Sequence, residues 1–180
     1  MSKHTARGFT IVELVLVMVV IGILTAMAVA RFPGGGQMDV PVTADLVRST
    51  LRYGQKVAVA QNRDVFVQIN SSHVLLCFDA ACTNKVPAAG GSNSRRGATT
   101  SACGNSTDAC EGWPSTIAMA ASPSISAFLF DPKGMPYLAT EASGSNYNRG
   151  ISGFSTLTLT FSADAVNMTA VVEGTTGYVH

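Results

Sequence analysis

Charge is what this chain has least of. Only 13% of its 180 residues are charged, about half of the ~25% found in an ordinary soluble domain. The 12 Lys and Arg nearly cancel the 11 Asp and Glu, so the basic field that phosphate backbones select is missing, which argues against a general nucleic-acid-binding domain. Histidine is scarce: His4, His73 and His180 are the only three. No nucleophile elbow, P-loop, dinucleotide fingerprint or zinc-protease helix occurs, and catalysis is not expected. The four cysteines are spaced Cys77-x4-Cys82 and Cys103-x6-Cys110. Neither pair has the two-residue spacing of a zinc ribbon or thioredoxin-like site, so no metal, cofactor or small-molecule substrate is expected.

The apolar residues are unevenly spread. From Phe9 to Ala30 every residue is apolar except Thr10, Glu13, Gly22 and Thr25. As a helix this stretch is about 33 Å long, enough to cross a hydrocarbon core of ~30 Å. Lys3 and Arg7 precede it, which favours a cytoplasmic start and an exported remainder, although Arg31 just after it weakens the contrast. A cleaved secretory signal has a shorter apolar core. An ordinary single-pass anchor explains the length but not Glu13, a carboxylate near the start of an apolar span, where charge is costly.

Residues 7–14, Arg-Gly-Phe-Thr-Ile-Val-Glu-Leu, followed by the apolar run, resemble the class III signal of the type IV pilin superfamily, with Gly8, Phe9 and Glu13 at the motif's spacing. The resemblance implies a leader of residues 1–8, removed between Gly8 and Phe9 by a prepilin peptidase that then methylates the Phe9 amine. The helix 9–31 stays in the mature subunit. It also implies that Glu13 of one subunit neutralises the Phe9 amine of another. A buried pair of this kind sets register more than it adds stability.

Beyond the apolar run, Phe32-Pro33-Gly34-Gly35-Gly36 loosens the helix, and Gly22 with Pro33 are the candidate helix-break residues. A second, amphipathic helix is expected from Pro41 to Asn62, capped by Thr43 or Asp45. Its stripe is Val42, Leu46, Thr50, Tyr53, Val57 and Ala60, with Arg48, Arg52, Lys56 and Arg63 on a solvated face. Period-two alternation in Val65–Ile69, the Asn70-Ser71-Ser72 turn and the apolar His73–Phe78 make a hairpin. Residues 80–115 have little periodicity. Strands are expected at Ser124–Phe130, Met135–Leu138, Ser155–Phe161 and Val166–Glu173, with Asp131, Asp164 and Glu173 at exposed turns or strand ends. Trp113 is expected to pin the 80–115 loop to the core. The class is therefore α+β: a long amino-terminal helix, membrane-spanning first and amphipathic second, on an antiparallel sheet. The divisions are 1–8, 9–31, 32–62 and a periplasmic head at 63–180. Sequence leaves disulfide connectivity open, but pairing Cys77–Cys82 and Cys103–Cys110 closes the shortest loops.

Ala58–Arg63, the strand into Cys77, Phe130-Asp131-Pro132-Lys133-Gly134 and Thr176-Gly177-Tyr178-Val179 are similar to the GspH/FimT group of minor pilins and pseudopilins, most of all the MshC-type minor pilins of mannose-sensitive haemagglutinin (MSHA) pili. The resemblance implies a structural subunit for pilus assembly, initiation and attachment. Such a subunit sits in the inner membrane and then in the surface fibre, with other pilin subunits and the peptidase as partners. The alternatives are a type II secretion pseudopilin and a DNA-binding FimT-like subunit. For the latter, the end Thr175–His180 has no Lys or Arg, leaving Arg95 and Arg96 as the candidate contact.

Overall fold

The computed structural model describes residues 10–29, 35–104, 107–141 and 152–180. Helix α1 runs from Ile11 to Val29. Thr10 starts it: the Glu13 N–H donates to the Thr10 carbonyl at 3.1 Å and to its Oγ1 at 3.3 Å, the geometry of an N-cap. The helix continues through Gly22 without interruption, and Pro33 lies outside the described residues. Thr25 donates its hydroxyl to the Ile21 carbonyl at 2.7 Å, which satisfies a polar group inside an apolar run. Among the described residues no helix is long and apolar enough to cross a membrane. The expected span, from Phe9 to Arg31, extends beyond them at both ends.

Helix α2 spans Gly35–Gln61, and the second unit begins at Gly36 within it. It starts six residues before the expected Pro41, which is held inside the helix, so Thr43 is not a cap but a fully buried helical residue. The buried stripe also differs from the expected one. Val57 is buried as expected, but its companions in the core are Val40, Ala44, Val47, Leu51 and Ala58, whereas Val42 is about half exposed and Ala60 is exposed. Gly54 lies on the same face, where an added Cβ would meet the Leu76 methyl carbons at 3.0 and 3.1 Å, so the close approach at this point depends on the missing side chain.

Among the described residues eight strands follow: β1 (Val65–Ile69), β2 (His73–Cys77), β3 (Cys110–Gly112), β4 (Ala118–Ser122), β5 (Ala127–Phe130), β6 (Pro136–Leu138), β7 (Leu157–Ala163) and β8 (Val166–Val172), with helix α3 (Gly97–Cys103) inside the region expected to lack periodicity. They form two antiparallel sheets, ordered β3-β2-β1-β5-β6 and β4-β7-β8. The expected hairpin pairs Val67 with Leu76 and Ile69 with Val74. Alternation in β7 buries Leu157, Leu159 and Phe161. One core joins α2 to both sheets, and Phe128, Phe130 and Phe161 are its largest fully buried side chains. A smaller cluster on the other face of the five-stranded sheet holds Phe66, Cys77, Leu129 and Tyr137.

Candidate assembly surface

The amino-terminal candidates divide at the edge of the described residues. Gly8 and Phe9 fall outside, while Glu13 occupies the first turn of α1 as the only acidic residue there. Every described side chain of α1 is exposed, from Ile11 at 83% to Val17 at 45%. Apart from Glu13 and Thr25 the described side chains offer little polar surface to turn to water. Glu13 near its N-terminus is favourably placed against the helix dipole.

In the head, both disulfides form between nearest neighbours, Cys77–Cys82 with Cα atoms 5.1 Å apart and Cys103–Cys110 with 6.0 Å. The first closes a loop that Asp79 organises: its carboxylate accepts the Thr83 N–H at 2.9 Å and the Asn84 N–H at 2.6 Å. Those backbone donors hold the Asp79 carboxyl below its ordinary value. The Arg63 guanidinium lies 3.9 Å from the Phe78 ring centroid above the same loop. The second disulfide ties α3 to β3. Trp113 anchors the region after β3, donating from Nε1 to the Ser71 carbonyl at 2.9 Å and meeting Phe161 edge to face at 5.1 Å.

The basic face of α2 is solvated at Arg52 and Lys56 and half-buried at Arg48, and its arginines also tie the helix to distant backbone. Arg48 donates from Nε to the Thr169 carbonyl at 3.0 Å, and Arg52 from Nε to the Val179 carbonyl at 2.9 Å. Gln55 donates to the Gly134 carbonyl at 2.9 Å and the Thr176 carbonyl at 3.4 Å. The two short segments Asp131–Gly134 and Thr176–Val179 therefore converge on α2. They touch so closely that a Cβ on Gly177 would lie 2.2 Å from the Gly134 oxygen. Asp131, expected to be exposed, is 2% exposed because its carboxylate caps its own turn, accepting the Lys133 and Met135 N–H groups at 2.9 and 2.8 Å.

Arg95 and Arg96 are separated in role. Arg95 is exposed, while the Arg96 guanidinium is held by Asp39 at 3.0 Å and Thr43 at 3.3 Å. Glu111, which the sequence did not single out, is 3% exposed and accepts hydroxyls from Thr99 at 2.7 Å and Ser94 at 2.9 Å. Burial pushes its carboxyl up, opposed by those two bonds and by Arg96. It lines a cleft of about 310 Å³ between α2 and the loop before β3. Among the described residues no three His, Cys, Asp or Glu side chains are gathered as a metal site.

Comparison with known proteins bears on the amino-terminal motif and on the fold. Residues 3–29 match the family model described as the prokaryotic N-terminal methylation motif. The chain is 50% identical over 48 residues to the type IV narrow pilus major component PilA5 of Thermus thermophilus, a match covering 24% of this chain and 41% of that protein's length. The fold is similar to that of the type IV minor pilin FimU of Pseudomonas aeruginosa, with a TM-score of 0.51 and 12% identity over 82% of this chain and 91% of that one. The chain thus carries the prokaryotic N-terminal methylation motif at its start and an α+β fold similar to that of a type IV minor pilin.

Proposed function

We propose that this chain is a minor subunit of a type IV pilus of MSHA type that supports fibre assembly, initiation and surface attachment. The observation carrying the proposal is the Gly8-Phe9-x3-Glu13 motif at the head of a helix whose described side chains are all exposed and overwhelmingly apolar. Peptidase cleavage after Gly8 leaves a cationic amine on Phe9, which is methylated. Before assembly the helix rests in the inner membrane with the head in the periplasm, where the cysteines oxidise. In the fibre, Glu13 of one subunit meets the Phe9 amine of another. Each charge alone is costly in an apolar surround, so the pair selects one axial stagger among many that apolar packing alone would allow. The Phe130–Gly134 and Thr176–Val179 segments support the MSHA-type assignment through their likeness to MshC-type subunits.

Deletion of the gene tests this reading. Loss of surface fibres and of attachment, with exoprotein secretion intact, is the expected outcome. Normal fibres with lost secretion would replace it with a secretion pseudopilin, and normal fibres with lost attachment would replace assembly with adhesion.

A further inference from the structure

The two edges of the three-stranded sheet are treated differently. Beyond β8, the carboxy-terminal segment pairs with the sheet: Val171 and His180 exchange both backbone hydrogen bonds, at 2.8 and 3.0 Å. Beyond β4 no described strand follows. Edge strands are normally blunted by charge, a bulge or an inserted proline, because their outward N–H and C=O groups are a template for pairing. β4 reads Ala118-Met119-Ala120-Ala121-Ser122, without a charge or a proline, and its residues alternate between exposed and half-buried.

A hollow of about 590 Å³ lies beside it, with Met119, Ala120 and Ala121 on one wall and Ile69, Asn70 and Ser71 on the other. Successive side chains of a strand point to opposite faces. Met119, Ala120 and Ala121 belong to both alternating sets of the strand, and the hollow they line lies beside β4. A second hollow, of about 570 Å³, shares Ser71 and continues past Trp113. Neither hollow is lined by any Asp, Glu, Lys, Arg or His.

We propose that the β4 edge is an interaction surface that takes an extended, uncharged strand from another subunit of the same fibre. The chemistry defines the occupant. A row of outward backbone amides and carbonyls recognises another extended backbone. Walls without ionisable groups exclude a charged segment, whose side chains would be desolvated with no partner. The small Ala and Ser side chains leave the edge open to close approach. The identity of the strand's owner rests on the fibre reading above; the edge chemistry does not.

The test is hydrogen exchange of the full chain, in purified fibres and solubilised in detergent. The amides of Ala118–Ser122 are expected to exchange at least about tenfold more slowly in the fibre, since pairing protects them. Ala120→Lys, with the solubilised chain's unfolding midpoint unchanged, is expected to remove that protection or to reduce incorporation at least about fivefold. Equal exchange in the two states overturns the proposal, whether or not the variant folds. So does Ala120→Lys entering fibres at the normal level with protection intact. Absence of the wild-type chain from fibres overturns both this proposal and the fibre reading, whereas a chain present with an unprotected β4 edge overturns this one alone.

Discussion

Gly177→Ala is the most demanding test of the head's packing. Gly177 has φ +68°, where an L side chain is strained by about 1 kcal/mol. Its added Cβ would lie 2.2 Å from the Gly134 oxygen and 2.9 Å from Gln55 Nε2. The oxygen belongs to a backbone that cannot rotate away as a side chain can, because Gly134 closes the Asp131 turn at φ +80°. Relief requires the two turns to separate, which breaks the 2.9 Å bond from Gln55 to the Gly134 carbonyl and costs about 1 kcal/mol more. With overpacking of about 1–3 kcal/mol, the sum is about 3–5 kcal/mol, a large part of a typical 5–15 kcal/mol stability. Gly90→Ala is the control: φ is +75° there, but no atom lies within 4 Å of the added Cβ, so only the conformational cost of about 1 kcal/mol applies. Urea unfolding of the solubilised chain, followed by fluorescence of the buried Trp113, reads the head alone. Equal midpoint shifts for the two variants would refute the reasoning, since only contact distinguishes them.

Three further outcomes follow from the same structure. The β7–β8 turn places Asp164 and Ala165 at φ +48° and +64°, so Ala165→Gly should stabilise by about 0.5–1 kcal/mol, seen as a higher urea midpoint. Glu111 has a folded-state pKa above its unfolded value. Its contribution is therefore fully present below the unfolded pKa and lost as pH rises through the folded one. Glu111→Gln, which keeps an acceptor for Thr99 and Ser94, should raise the melting temperature at pH 8 and lose that advantage on acidification. Replacing Cys103 and Cys110 together by Ser should cost about 2 kcal/mol in the same unfolding assay, in keeping with the short loop the bridge closes.

What sequence revealed depended on the range of the interaction. The β1–β2 hairpin was legible because alternation in Val65–Ile69 and the Asn70–Ser72 turn are local signals. The cysteine partners lie within seven residues of one another. The α2 face was misread because counting apolar residues favours Val42 and Leu46, while close approach to the sheet depends on Gly54 and Ala58 having almost no side chain. β4 was missed because Ala-Met-Ala-Ala-Ser lacks the β-branched and aromatic residues that mark strands. The backbone contacts of Arg48 and Arg52 were not legible because their acceptors are carbonyls more than 120 residues away, which carry no signature in side-chain pattern. Distance along the chain also hid the contact between Gly134 and Gly177, although glycine in both turns was the available clue. At the amino terminus the reverse holds: Gly8, Phe9 and Glu13 form a motif within six residues and need no fold to be read.

Incorporation of Glu13→Ala into fibres is the most direct measurement. Sheared fibres and membranes are separated, the chain in each is quantified, and the mature amino terminus is examined by mass spectrometry. The account predicts a variant that is cleaved after Gly8, carries N-methylated Phe9 and stays in the membrane, with little or none in the fibre. A processed Glu13→Ala chain recovered in fibres at the wild-type level would contradict it.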